Sequence, residues 1–284
     1  MANVRDIKRR IRSVTNTQQI TKAMEMVAAA KLRRTQGAVV SARPYSRKLE
    51  EVLVRLVSSS PDLKDPLLEV REPKKIGFVV VSADRGLSGG YNANLIRSAV
   101  VALAHHREKD TGIIAIGKKA RDFFRKRDYN VEGEFIGISD IPTLAEANEI
   151  AQTVKTFYTE GIYDEVYLVY TEFFSAMQQK PKTKKILPIE TPQSEKMEEL
   201  DYIFDPSPQL VLNQLLPLYL TNQIFTALTE AKASEHGATM TAMGSATDNA
   251  GEMIDKLTLS YNRARQAAIT NEISEIVGGA NALG

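Results

Sequence analysis

From Asn3 to Ser58 the chain carries one proline, Pro44, and one glycine, Gly37, and its apolar residues recur at helical spacing. Val4, Ile7, Ile11 and Val14 form one group, Ile20, Met24 and Val27 a second, and Tyr45, Leu49, Val52 and Leu56 a third. The spacing predicts a helical arm over residues 1–58, with a one-residue phase slip between the first two groups. A kink or relaxed ladder is expected at Pro44, and a stop at Ser58-Ser59-Ser60-Pro61-Asp62. A second arm is predicted over 207–284, opened at Asp205-Pro206-Ser207-Pro208 by a capping serine and a proline in the first turn. Its stripe is Ala250, Ile254, Leu257, Tyr261 and Ala264, then, one residue out of phase, Ile269, Ile273, Ile276, Ala280 and Leu283. Seventy-odd helical residues at 1.5 Å each reach about 110 Å, far beyond a globular domain of this size, so the expectation is an elongated molecule.

Charge supports pairing of the arms. Residues 1–50 hold 12 lysines and arginines against three acids, whereas residues 208–284 hold four against seven. Arms of opposite sign suit contact with each other, and a basic arm alone would suit nucleic acid. The first arm has almost no aromatic residues to stack bases, which weakens the latter reading. Lys8, Arg9, Arg10, Arg12, Lys31, Arg33, Arg34, Arg43, Arg47 and Lys48 read either as a solvated face or as a track for acidic partners. If both arms leave the middle at a similar level, they pair antiparallel for about 55 residues and Arg265–Gly284 overhangs by about 30 Å. That overhang is nearly uncharged, a liability for a lone helix in water, and reads as a segment that ends inside another protein.

Between the arms, residues 74–192 change pattern. Strands are predicted over 76–83, 112–116, 130–136, 165–173 and 183–189, alternating with helices over 92–109, 118–126 and 143–158. The fold class is therefore an antiparallel coiled coil of N- and C-terminal helices with a central Rossmann-like α/β domain, mostly parallel and covered on both faces. No helix separates the last two strands, so that edge is expected to be antiparallel.

Composition closes several routes. The chain has no cysteine, which removes disulfides, thiolate metal sites and cysteine nucleophiles. No apolar run approaches the roughly 20 residues of a membrane span, and the charged start, Met1–Asp6, has no signal-peptide pattern. Asp84-Arg85-Gly86-Leu87-Ser88-Gly89-Gly90-Tyr91-Asn92 stands where a phosphate loop would, but its spacing fits no phosphate fingerprint and it reads as a tight strand-to-helix turn. Gly112–Lys119 approaches a P-loop, yet its middle is a predicted strand and Lys119 replaces the magnesium-binding hydroxyl. His105 and His106 are expected on a solvated helix end, and His236 at the surface or against the other arm. No active site, cofactor or metal is predicted. The stretch with Gly237, Gly244 and Gly251 among Ala238, Ala242, Ala246 and Ala250 reads as close approach to the first arm, as torsional compliance or as plain tolerance of glycine at exposed sites.

Three segments carry a resemblance. Ile20-Thr21-Lys22-Ala23-Met24-Glu25-Met26-Val27-Ala28-Ala29-Ala30-Lys31 resembles the N-terminal signature of the γ subunits of rotary, F-type ATP synthases. Ile269-Thr270-Asn271-Glu272-Ile273-Ser274-Glu275-Ile276-Val277-Gly278-Gly279-Ala280 is similar to their C-terminal signature, and Asp84–Asn92 to their Asp-Arg-Gly-Leu turn. The resemblance implies a non-catalytic axle, one copy per complex, inside a hexamer of α and β subunits, with a foot on the ε subunit and the membrane rotor c-ring. It implies contacts with the catalytic subunits at Met24, Arg265, Gln266, Thr270 and Glu272. It implies a peripheral position on the cytoplasmic face of a bacterial membrane, without insertion into it and without nucleic acid. Ser88 stands where many members have cysteine and the chloroplast regulatory insert is lacking, so no thiol control is expected. The rival readings are a nucleotide-binding α/β enzyme oligomerised by its arms and a nucleic-acid-binding coiled coil.

Overall fold

The computed structural model describes residues 4–59, 63–106, 108–190 and 207–283, with side chains up to Gly278. The expected stop at Ser60–Asp62, the opening Asp205-Pro206, residues 191–192 of the middle segment and the stripe side chains of Ala280 and Leu283 lie outside the described residues. Ten elements follow in order: α1 (Val4–Ser59), β1 (Lys75–Val81), α2 (Tyr91–His105), β2 (Asp110–Ile116), α3 (Lys118–Arg125), β3 (Val131–Phe135), α4 (Leu144–Thr159), β4 (Glu165–Phe173), β5 (Gln179–Leu187) and α5 (Pro208–Leu283). The described residues form two compact units. One comprises the chain up to Val27 with the chain from Met240; the other is Ala28–Thr239.

The larger unit is built on a five-stranded sheet in the order β3-β2-β1-β4-β5. β1 pairs in parallel with β2 and β4, and β2 with β3; β4 and β5 run antiparallel, as the missing helix between them requires. β5 begins four residues before the predicted Thr183, in a lysine-rich stretch with Pro181 that suits an edge strand. Alternate residues separate two cores. Ile76, Phe78, Val80, Ile113 and Ala115 pack with Leu95, Ala99 and Leu103 of α2 and Phe124 of α3. Val79, Val81, Ile114, Ile116 and Leu168 pack with Ile150 and Val154 of α4, Leu53 and Leu56 of α1, and Leu216, Leu220 and Ile224 of α5. Full burial on both faces is why β1 and β2 read as unbroken apolar runs. α4 starts at a capping box in which Thr143 and Glu146 bond reciprocally.

Within this unit α1 and α5 run antiparallel. Ser46 Oγ lies 3.2 Å from Thr226 Oγ1, Asn222 Nδ2 donates to Ser46 Oγ at 2.9 Å, and Arg43 meets Glu230. The inward residues of α1 are Ala28, Leu32, Thr35, Val39, Ala42, Ser46, Leu49, Leu53 and Leu56, an unbroken four-three rhythm. Tyr45, assigned to this stripe from its apolarity, is exposed, and Ser46 occupies the seam instead.

In the smaller unit the helices are again antiparallel. Gln18, Thr21 and Glu25 of α1 face Gly251, Thr247 and Gly244 of α5, with Thr247 Oγ1 donating to Thr21 Oγ1 at 2.8 Å. The inward positions are Val4, Ile7, Ile11, Val14, Gln18, Thr21 and Glu25, and the next step of three reaches Ala28. The rhythm therefore has no phase slip. Following apolarity alone places Ile20 and Val27 inside, whereas they stand 60% and 55% exposed and polar residues hold the seam. On α5 the seam Ala250, Ile254, Leu257, Tyr261, Ala264 is as predicted, all buried or half-buried.

Candidate functional site

In an open α/β sheet, ligands bind beyond the carboxyl ends of the strands where the chain reverses its order. Here that point lies between β1 and β4. α5 fills it. Ser234 Oγ donates to the carbonyl of Thr171 at 3.1 Å, and Leu228, Ala231, Lys232 and Glu235 close over Val81, Ser82 and Tyr91. The space left is about 10 Å³, room for one water. A nucleotide needs a cleft of roughly 300 Å³ or more.

The turn after β1 is equally committed to its own structure. Asp84 Oδ1 accepts from the Lys118 amide and Oδ2 from the Gly137 amide, each at 2.9 Å, tying the ends of β1, β2 and β3 together. Asn92 Oδ1 accepts from the Ala83 amide at 3.1 Å and its Nδ2 donates to Ser88 Oγ at 3.2 Å. Gly112–Ile116 lies within β2. Gly117 has φ +88°, and a Cβ there would stand 2.2 Å from the Ser82 carbonyl oxygen, so backbone geometry requires this glycine.

The histidines depart from expectation in two cases. His105 is exposed at the end of α2. His106 is half-buried, its ring 5.9 Å from Phe78 and 5.3 Å from Tyr167, and burial lowers its pKa. His236 is buried, with Nε2 3.7 Å from Asp140 Oδ1, while Asp140 Oδ2 takes Lys31 Nζ at 2.8 Å. Burial holds the imidazole below its usual range, and the Lys31 bond holds the Asp140 carboxyl below its own. Among the described residues no group of three or more His, Asp or Glu is arranged to hold a metal.

The residues singled out on the arms lie on α1 and α5. Met24 is half-buried. Arg265, Gln266, Thr270 and Glu272 are exposed, like every described side chain from Arg265 to Gly278. Thr270 Oγ1 donates to the Gln266 backbone carbonyl at 3.0 Å. Of the basic series, Lys31 meets Asp140 and Arg43 meets Glu230, whereas Arg10, Arg12, Arg33 and Arg34 are exposed. The small-residue stretch has one steric necessity. A Cβ on Gly237 would come 3.3 Å from both Cα and O of Ala176 in the β4–β5 turn, so at this glycine the close approach is to the hairpin, whereas Gly244 and Gly251 approach the first arm, a Cβ on Gly251 standing 3.2 Å from Gln18 Nε2. The burial of Glu230 and of His236 on α5 is not expected from the sequence, where both stand in a mixed polar stretch, Thr229-Glu230-Ala231-Lys232-Ala233-Ser234-Glu235-His236.

The family model described as ATP synthase matches residues 3–283. The ATP synthase gamma chain of Moorella thermoacetica is 56% identical over the whole of both chains, and that of Heliobacterium modesticaldum 53% identical, again over the whole of both. The chain belongs to the ATP synthase gamma-chain family. Solved structures agree on the fold. A chain of the Euglena gracilis mitochondrial ATP synthase rotor has TM-score 0.68 at 20% identity, covering 94% of this chain and 98% of its own. A chain of the same organism's complex in rotational state 3 reaches 0.73 at 20% identity, covering 99% and 94%. These likenesses cover nearly the whole chain, the central sheet and both long terminal helices.

Proposed function

We propose that this gamma-family chain is the rotor axle of an ATP synthase and performs no chemistry itself. The observation that carries the reading is an inverted polarity over one stretch of the smaller unit, residues 18–27 of α1. Gln18, Thr21 and Glu25 point inward while Ile20, Met26 and Val27 point out, and Ile269, Ile273 and Ile276 are exposed beyond the paired part of α5. Two helices alone in water would be arranged the other way. Apolar side chains turned outward fit a shaft that runs inside a sleeve of partner subunits.

The partners in this reading are the α and β subunits of a catalytic hexamer, the ε subunit and the c-ring, with one copy of the chain per complex. Met24, Arg265, Gln266, Thr270 and Glu272 supply contacts to the catalytic subunits. Their exposure on α5, and half-exposure at Met24, supports this. Three equivalent sites around an axle without threefold symmetry cannot remain equivalent. Each catalytic subunit meets a different face and is biased by the difference in contact free energy, and rotation permutes those biases. Among the described residues no helix is long and apolar enough to cross a membrane, which suits a peripheral subunit on the cytoplasmic face.

The test is purification of the complex at native expression. The chain should travel in one copy with a large ATPase, and Arg265→Ala with Gln266→Ala should leave assembly near normal while lowering synthesis and hydrolysis. Unchanged turnover in the assembled double mutant would remove the residue assignment. Stoichiometric ATP binding by the isolated chain at micromolar concentration would revive the enzyme reading.

A further inference from the structure

In the larger unit, α5 buries a carboxyl group at the junction of three elements. Glu230 is 6% exposed. Its Oε1 stands 3.8 Å from Arg43 Nη2 on α1, close enough for attraction and too far for a hydrogen bond. Its Oε2 is buried with no hydrogen-bond partner. β4 presents Tyr170 and Glu172 to it, and β5 presents Lys182 and Lys184. The two lysines are already engaged: Lys182 Nζ donates to Glu172 at 2.8 Å and Lys184 Nζ to Gln223 Oε1 at 2.7 Å. Arg43 itself is half exposed, so water screens its attraction.

A carboxylate with one bare oxygen in such a site is costly, whereas the neutral acid is not. We propose that Glu230 is a proton-controlled latch between α1, α5 and the sheet edge. With the proton on, the side chain stays packed in place. When the proton leaves to water, the anion faces Glu172 and is drawn towards Arg43 and solvent, and the junction opens more often. Burial foremost, and then Glu172, push this carboxyl up to about 7, so the change falls within the working range of a cell.

The sign follows from linkage. A carboxyl whose folded pKa exceeds its unfolded value of about 4.3 stabilises the fold relatively at low pH and loses that advantage as pH rises towards the folded value. Between pH 6 and 8 the opening equilibrium should rise about tenfold.

The test uses the full chain with carboxyl-labelled glutamate, followed by NMR, together with amide hydrogen exchange around Glu230 and Arg43 corrected for intrinsic pH dependence. One carboxyl should titrate near neutrality and vanish in Glu230→Gln, and local exchange should quicken about tenfold from pH 6 to 8 in the parent only. Should Glu230→Gln misfold, Glu172→Gln must lower that midpoint and Arg43→Ala must raise it. A midpoint below pH 5.5, or one that neither neighbour moves, would overturn the latch, as would the same exchange profile in Glu230→Gln.

Discussion

The same helix, α1, forms two seams with α5 that follow one rhythm and differ in chemistry where the smaller unit's seam turns polar. In the larger unit the inward residues include Leu32, Val39, Leu49, Leu53 and Leu56; in the smaller unit three successive inward residues are Gln18, Thr21 and Glu25. The first seam is tied into a sheet-backed core with Ile150, Leu168 and Leu220. The second meets the glycines Gly244 and Gly251 of α5 at two of those positions. The difference shows that heptad spacing and heptad apolarity are separable. Spacing keeps the two helices in register, while apolar content decides how much free energy the register holds.

The largest expected effect tests the first seam. Leu56 is fully buried in the main core. Leu56→Ala should cost about 2–5 kcal/mol in urea unfolding, the range for a buried leucine that leaves a cavity. On the other side, Thr21→Val with Thr247→Val removes a hydroxyl pair whose members also bond their own helix, Thr21 to the Gln18 carbonyl at 3.0 Å and Thr247 to that of Met243 at 2.8 Å. Replacing both partners by apolar isosteres should be neutral or stabilising, by up to about 1 kcal/mol. Backbone amides near 18–25 should also exchange faster than those near 46–56. Equal protection in the two stretches would erase the contrast.

Legibility in the sequence divides along the same line. Strand and helix positions in the α/β part follow from runs such as Phe78-Val79-Val80-Val81 and from the glycine-rich turn after them, because burial on both faces leaves an unmistakable pattern. In the smaller unit, tracking Ile20 and Val27 leads to a phase slip that is not there, because it assumes that apolar means inward. The alternative signal was available: the step 14, 18, 21, 25, 28 keeps the rhythm through polar residues. His236 and Glu230 were illegible for another reason. Their burial depends on Asp140, Glu172 and the hairpin at Ala176, all distant in sequence, and no local pattern encodes that meeting.

A pH series sharpens the comparison further, since His236, Asp140 and Lys31 clamp the larger unit from three elements. Burial lowers the His236 pKa, so the folded state binds fewer protons than the unfolded state between the folded value and about 6.5. Stability from this group is complete above that window and lost as pH falls through it, by at most about 1.4 kcal/mol per pH unit. His236→Gln should flatten that component of the thermal-unfolding profile. Asp140 acts lower, below its ordinary range, where protonation releases Lys31. A profile in His236→Gln that matches the parent between pH 5 and 7 would count against the clamp.

The smallest change in stability is expected on the outward face of the smaller unit, and it separates stability from function. Ile20, Met24 and Val27 share that face of α1, four and three residues apart, and Met24 is only half-buried. In Met24→Lys the four-carbon stem can cover the surface the thioether covered while the ammonium reaches water. Unfolding of the isolated chain should move by less than about 0.5 kcal/mol. In the assembled complex the consequence differs. A flexible thioether slides past successive partners with little specific bonding, whereas an ammonium has three donors and a charge. Any carboxylate it meets on a catalytic subunit is bound at one rotor angle and must be released at the next, so each step acquires a barrier that does no work. Complex yield should stay normal while protons pumped per ATP hydrolysed fall. If yield drops and pumping per ATP holds, Met24 serves the helix pair alone, and the outward face of α1 begins one turn further along.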